Sequence, residues 1–85
     1  MNVSYSRKFL KNASKLSKKL IILAEEKEAL FRTDPYHPSL RTHKLNGKDK
    51  DSWAFWINYH YRIKFLFLSD SRVLFLDIGP HDFYE

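Results

Sequence analysis

Residues 53–81 read WAFWINYHYRIKFLFLSDSRVLFLDIGPH, and the fold is decided by how this stretch turns. Over positions 53–68 the odd positions are Trp53, Phe55, Ile57, Tyr59, Tyr61, Ile63, Phe65 and Phe67. The even ones are Ala54, Trp56, Asn58, His60, Arg62, Lys64, Leu66 and Leu68. Alternation with period two marks β-strand, here with the odd face buried and the even face partly wet. Strands usually run about 3–10 residues, so this one has to fold back, and the polar step at residues 58–60 is the natural place. A two-residue loop would set Phe55 against Lys64 and mix the faces. A three-residue loop of Asn58, Tyr59 and His60 pairs Phe55 with Ile63 and Trp53 with Phe65, and puts Trp56 opposite Arg62.

A second tight turn centred on Asp70 and Ser71 extends the meander. It pairs Phe67 with Leu74, Phe65 with Leu76 and Ile63 with Ile78 on the dry face. On the other face it pairs Leu66 with Phe75 and Lys64 with Asp77, and brings Arg62 beside Gly79. That second face is apolar at one end. At its other end it carries Arg62, Lys64, Asp77 and, just past the strand, His81, which makes this end the candidate site. The apolar end, formed by Leu66, Leu68, Val73 and Phe75, predicts contact with a partner or a second copy.

Upstream, residues 2–6 form a short strand, and Ser6 is placed to cap a helix beginning at Arg7. Phe9, Ala13, Leu16, Leu20, Leu23 and Leu30 recur at helical spacing, with Ile21, Ala24 and Phe31 widening the stripe. Ser17 caps a second helix running to about Arg32, giving a helical hairpin. Pro35 and Pro38 stop it. Residues 43–47 (HKLNG) read as a short strand entering a turn at Asn46 and Gly47. The chain is therefore expected to be a single α+β domain, residues 1–85, with an antiparallel-dominated sheet and helices on its apolar face.

A chain of 85 residues has little core to spare, and its 16% aromatic content offsets that because each ring buries a large area. The absence of cysteine excludes disulfides and thiolate metal sites. No apolar run approaches the roughly 20 residues that cross a bilayer, and the opening residues lack a secretory core, so a soluble, cytoplasmic protein without membrane contact is expected. The net charge of +5 favours an anionic partner. Arg7, Lys8, Lys11, Lys15, Lys18 and Lys19 all precede the first acidic residue, Glu25. Such a cationic segment can track a phosphate backbone, although a solvated helix face explains the same lysines.

Elimination narrows the chemistry. With Gly47 and Gly79 as the only glycines there is no phosphate-cradling loop, hence no nucleotide cofactor. The four histidines lack metal-ligand spacing, so no metal is expected, and no serine carries a nucleophile-elbow signature. What remains is His43, Lys44, His60, Arg62, Lys64 and His81, with Tyr84 nearby. That set suits metal-free RNA cleavage: a base takes the 2′-hydroxyl proton, cations stabilise the phosphoryl oxygens, and an acid protonates the departing 5′-oxygen. Histidine serves as base or acid near neutral pH, and arginine offers a charged fork matched to phosphate. Plainer roles exist for each: Lys64 as the partner of Asp77, His60 as a turn residue, Tyr84 as a packed ring.

The order of elements and the motifs HKLNG, WAFWINYHYRIKF and VLFLDIGPHDFYE, with the opening NVSYSRKFLKNASKL, resemble the RelE/ParE superfamily of toxins from bacterial and archaeal toxin–antitoxin modules over essentially the whole chain. The resemblance implies an N-terminal strand, two helices and a curved antiparallel sheet of three to four further strands. It also implies a cytoplasmic toxin held by a cognate antitoxin, as a homodimer or a toxin–antitoxin hetero-oligomer. Relatives of the RelE, YoeB and YafQ type are mRNA interferases that cut mRNA on the ribosome, whereas the ParE branch inhibits DNA gyrase. Residue by residue, Arg62 matches the arginine on the scissile phosphate. His81 matches a C-terminal histidine used as acid or base, and His43 a histidine of the same branch. His60 falls where that branch has an acidic residue, and Tyr84 resembles an aromatic that stacks on or orients a base. Lys44, Lys64, Lys11, Lys15 and Lys18 are the candidates for holding RNA. One departure matters: Trp56 stands where active relatives usually carry arginine or histidine. Tryptophan cannot act as a base, but it can stack on a nucleobase.

Overall fold

A computed structural model of the chain describes residues 1–47 and 51–81. The element order is β1 (Asn2–Tyr5), α1 (Arg7–Ala13), α2 (Lys18–Thr33), a 3-10 turn (Pro38–Leu40), β2 (His43–Lys44), β3 (Trp53–Trp56), β4 (Tyr61–Ser69) and β5 (Arg72–Pro80). The strands form one sheet in the order β1-β5-β4-β3-β2, with β1 parallel to β5 and the other pairs antiparallel. Both helix starts follow local chemistry. The Ser6 and Ser17 hydroxyls accept from the Phe9 and Leu20 amides at 3.0 and 3.2 Å, each satisfying an amide that has no partner within its helix.

The core lies between the helices and the odd face of the meander. Phe31 of α2 is fully buried; it stacks on Phe55 at 4.6 Å and meets Phe65 edge-on at 4.9 Å. Phe9 of α1 lies 5.5 Å from Phe75. Rings at these offsets add attraction to the large area they remove from water.

The first hairpin has the expected register: Phe55 pairs with Ile63, Trp53 with Phe65 and Trp56 with Arg62. The second does so only at its ends. Ser69 pairs with Arg72, and Lys64, Ile63 and Arg62 pair with Asp77, Ile78 and Gly79. Between them the pairs are Phe67 with Val73, Leu66 with Leu74 and Phe65 with Phe75, one residue away from the expected Leu74, Phe75 and Leu76. Register shifts after Lys64 and after Phe67 leave Leu76 and Leu68 as the extra residues, so two bulges on opposite strands cancel. The α1 cap fastens the first of them: Ser6 Oγ donates to the Leu76 carbonyl at 2.7 Å, and the Ser6 amide to the Phe75 carbonyl at 2.9 Å.

The bulges correct one expectation. Val73 and Phe75 are 1% and 0% exposed in the core, so they leave the apolar patch expected on the other face, where Leu66 now pairs with Leu74. Asp77 remains the register partner of Lys64, and its carboxylate also accepts from Asn12 Nδ2 of α1 at 2.7 Å and meets Lys8 Nζ at 3.4 Å.

Candidate functional site

The β3–β4 loop, closed by the Ile57 amide donating to the Tyr61 carbonyl at 3.0 Å, is braced by side chains. Asn58 Oδ1 accepts from the amides of His60 and Tyr61 at 2.8 and 2.9 Å, an Asx-type bend that closes the loop on itself. Arg62, 6% exposed, reaches back under it. Its Nη1 donates to the carbonyls of Asn58 and Tyr59 at 2.9 and 2.7 Å, and more weakly to that of Tyr61 at 3.3 Å. Its guanidinium carbon stands 4.1 Å from the centre of the Trp56 ring, close enough for a cation–π contact. Arg62 and Trp56 thus act as one unit that holds the loop against the sheet.

This brings two of the expected histidines together. The His81 amide donates to the His60 carbonyl at 2.8 Å, which fastens the end of β5 to the loop. The Tyr59 ring neighbours both side chains, 5.2 Å from the His60 ring and 5.7 Å from that of His81, and it touches Trp56 edge-on at 5.7 Å. His60 is exposed and His81 half-buried, so both imidazoles adjoin solvent.

His43 belongs to the edge strand. Pairing with Ala54, which pairs in turn with Lys64, places His43 and Lys64 in one row on the even face. Its Nδ1 lies 2.8 Å from the Arg41 carbonyl. A carbonyl can only accept, so Nδ1 carries the proton and a neutral ring keeps Nε2 as its basic atom. Lys44 pairs with Trp53, whose ring packs on the core, so the strand's alternation sends Lys44 to the opposite face from His43.

The remaining lysines lie on the helical layer. Lys11 is on α1, Lys15 in the connection after it, and Lys18 opens α2; all three are exposed. Lys15 lines a groove of about 270 Å³ with Asn12, Leu16, Tyr61, Ile78, Gly79 and Pro80, which opens beside the end of β5. Tyr84 lies outside the described residues. Among the described residues no three His, Asp or Glu side chains converge as metal ligands, and no helix is long and apolar enough to cross a membrane.

Arg41 and Tyr59 join the site although neither is among the residues expected from the sequence. Tyr59, the middle residue of the expected three-residue loop, is 63% exposed. Arg41 is exposed, and its guanidinium carbon lies 5.0 Å from the centre of the same Trp56 ring. Its position two residues before His43 was a visible hint; its conformation was not.

No protein-family model and no curated protein matches this sequence. Solved structures do match. YafQ from E. coli strain BL21(DE3) superposes with a TM-score of 0.79 at 16% identity, covering 95% of this chain and 93% of its own. A YoeB/ParE toxin from Agrobacterium tumefaciens gives 0.77 at 12% identity, covering 95% and 99%. The archaeal RelE of a RelE–RelB complex from Pyrococcus horikoshii OT3 gives 0.73 at 18% identity, covering 93% and 92%. This chain, with two helices on a five-stranded mixed sheet, has the α+β fold of the YoeB, YafQ and RelE toxins.

Proposed function

We propose that this protein is the toxin of a type II toxin–antitoxin module and that it is a metal-free endoribonuclease acting on mRNA at the ribosome. The observation that carries the reading is the clamp between His60 and His81, which sets one exposed and one half-buried histidine beside an exposed aromatic ring at one end of the sheet. One histidine takes the proton of the 2′-hydroxyl as that oxygen attacks phosphorus. The other protonates the departing 5′-oxygen, leaving a 2′,3′-cyclic phosphate. His81 is the acid or base we assign first, with His60 or His43 completing the transfer. Lys64, on the same face, counters charge on the phosphoryl oxygens, and Tyr84 orients a base. Lys44, Lys11, Lys15 and Lys18 contribute long-range attraction to RNA. Matching solved structures include the DinJ–YafQ, YoeB–YefM and RelE–RelB complexes, which supports a cognate antitoxin as partner here.

A second reading, inhibition of DNA gyrase in the manner of ParE, is favoured by one feature. Arg62, which the endonuclease branch would place on the scissile phosphate, is buried beneath a loop and beside a tryptophan. Primer extension on a defined mRNA in a reconstituted translation reaction separates the two. Cleavage within the A-site codon that disappears with His81→Ala supports the endonuclease. Intact mRNA at concentrations that arrest growth sinks it and directs attention to gyrase supercoiling.

A further inference from the structure

Two guanidiniums share the Trp56 ring, and they are not equivalent. Arg62 is buried, with Nη1 engaged by the carbonyls of Asn58, Tyr59 and Tyr61. Arg41 is exposed, and among the described residues its guanidinium takes part in no hydrogen bond or ion pair beyond the contact with Trp56. Arg41 is also the single non-glycine residue with positive φ among those described, at 52°. The left-handed region is unfavourable for a residue with a Cβ, and such residues concentrate at functional sites.

The surroundings hold Arg41 in that conformation. It ends the 3-10 turn Pro38–Leu40: its amide donates to the Pro38 carbonyl at 3.2 Å, and Leu40 before it is fully buried. Its carbonyl receives His43 Nδ1. The kink therefore does two things at once. It lays the Arg41 side chain on the indole, and it fixes the tautomer of a candidate catalytic histidine two residues further on.

We propose that Arg41 is the phosphate-binding arginine of this site, and that Arg62 is a positioning residue that holds the β3–β4 loop. The proposal rests on the endonuclease reading above. A substrate phosphate needs a guanidinium whose N–H groups open to solvent, so that a bidentate pair can form. Arg41 meets that requirement. The indole beside it presets the long side chain and so lowers the conformational entropy lost on binding. His43 stands with Arg41 on the same short segment, its Nε2 left for the reacting group. The tryptophan that looked like a loss of chemistry is, on this view, the support for a relocated cation.

The test uses Arg41→Asn, Arg41→Lys and Arg62→Lys in the primer-extension reaction, with melting temperatures measured in parallel. Asparagine tolerates positive φ, so Arg41→Asn removes the guanidinium while keeping the backbone. The expected result is a cleavage rate at least about tenfold lower for Arg41→Asn, with no loss of melting temperature and partial recovery in Arg41→Lys. Arg62→Lys is expected to lower the melting temperature. Cleavage by Arg41→Asn within twofold of wild type overturns the assignment. If wild type leaves mRNA intact, the endonuclease reading falls by itself. Anisotropy of a labelled, 2′-deoxy-blocked single-stranded RNA then decides Arg41: loss of one phosphate contact lowers the salt slope of log K by about 0.7, and an unchanged slope overturns the proposal.

Discussion

The Arg62 guanidinium lies 4.1 Å from the centre of the Trp56 ring, across the β3–β4 pair in which the two residues are register partners. A buried charge survives there because carbonyls accept from it and a π-face covers it. Arg62→Met keeps the volume but leaves the carbonyls of Asn58 and Tyr59 without their donor. The expected loss is about 2–4 kcal/mol of unfolding free energy by urea titration, with faster hydrogen exchange of the loop amides. A loss below half a kcal/mol would show that the loop stands without Arg62.

Asp77 tests the tie between α1 and β5. Its Oδ1 accepts from Asn12 Nδ2 at 2.7 Å and from the Ile78 amide at 2.8 Å, and Lys8, largely exposed, lies 3.4 Å from Oδ2. Asp77→Ala strips the Asn12 amide of its acceptor and should cost about 1–3 kcal/mol, most of it from the hydrogen bonds. Lys8→Ala should cost much less. Equal losses would mean that the ion pair, not the hydrogen-bonded carboxylate, holds α1 to β5.

Phe31 joins α2 to three strands through Phe55, Phe65 and Phe75. Truncation to alanine leaves a cavity at the centre of a small core, and about 3–5 kcal/mol should be lost in a denaturant titration. In a domain of this size that approaches the whole stability. Phe31→Leu should recover more than half of the loss.

Tyr5 predicts an alkaline effect. Burial raises its phenol above the usual tyrosine value of 10.0, and the hydrogen bond to the Glu28 carboxylate adds to this, while Arg32 opposes it. The folded state therefore holds the proton more tightly than the unfolded chain. This contribution is complete below about pH 10 and is lost as pH climbs toward the raised value. The difference in stability between wild type and Tyr5→Phe should be constant from pH 7 to 9 and shrink above pH 10. A difference that grows with alkali contradicts the assignment.

Much of the architecture is written locally. Ser6 and Ser17 start both helices, Pro35 and Pro38 follow the second, and the polar step at residues 58–60 fixes the first hairpin's register. These features work through bonds and alternations a few residues long, so the sequence alone determined them. The second hairpin was different. Residues 73–76 are all apolar, so shifting them by one residue leaves the pattern looking the same, and a bulge is invisible. Only packing against α1, through Ser6 and Phe9, decided that Phe75 turns inward. The site divides in the same way. Histidines, lysines and arginines were legible as residue types suited to phosphate chemistry. Which arginine is buried and which is open depends on a left-handed kink at Arg41 and on the shared face of Trp56. The pairing of Trp56 with Arg62 follows from the hairpin's alternation, but the burial of Arg62 and the approach of Arg41 to the same ring are set by tertiary packing.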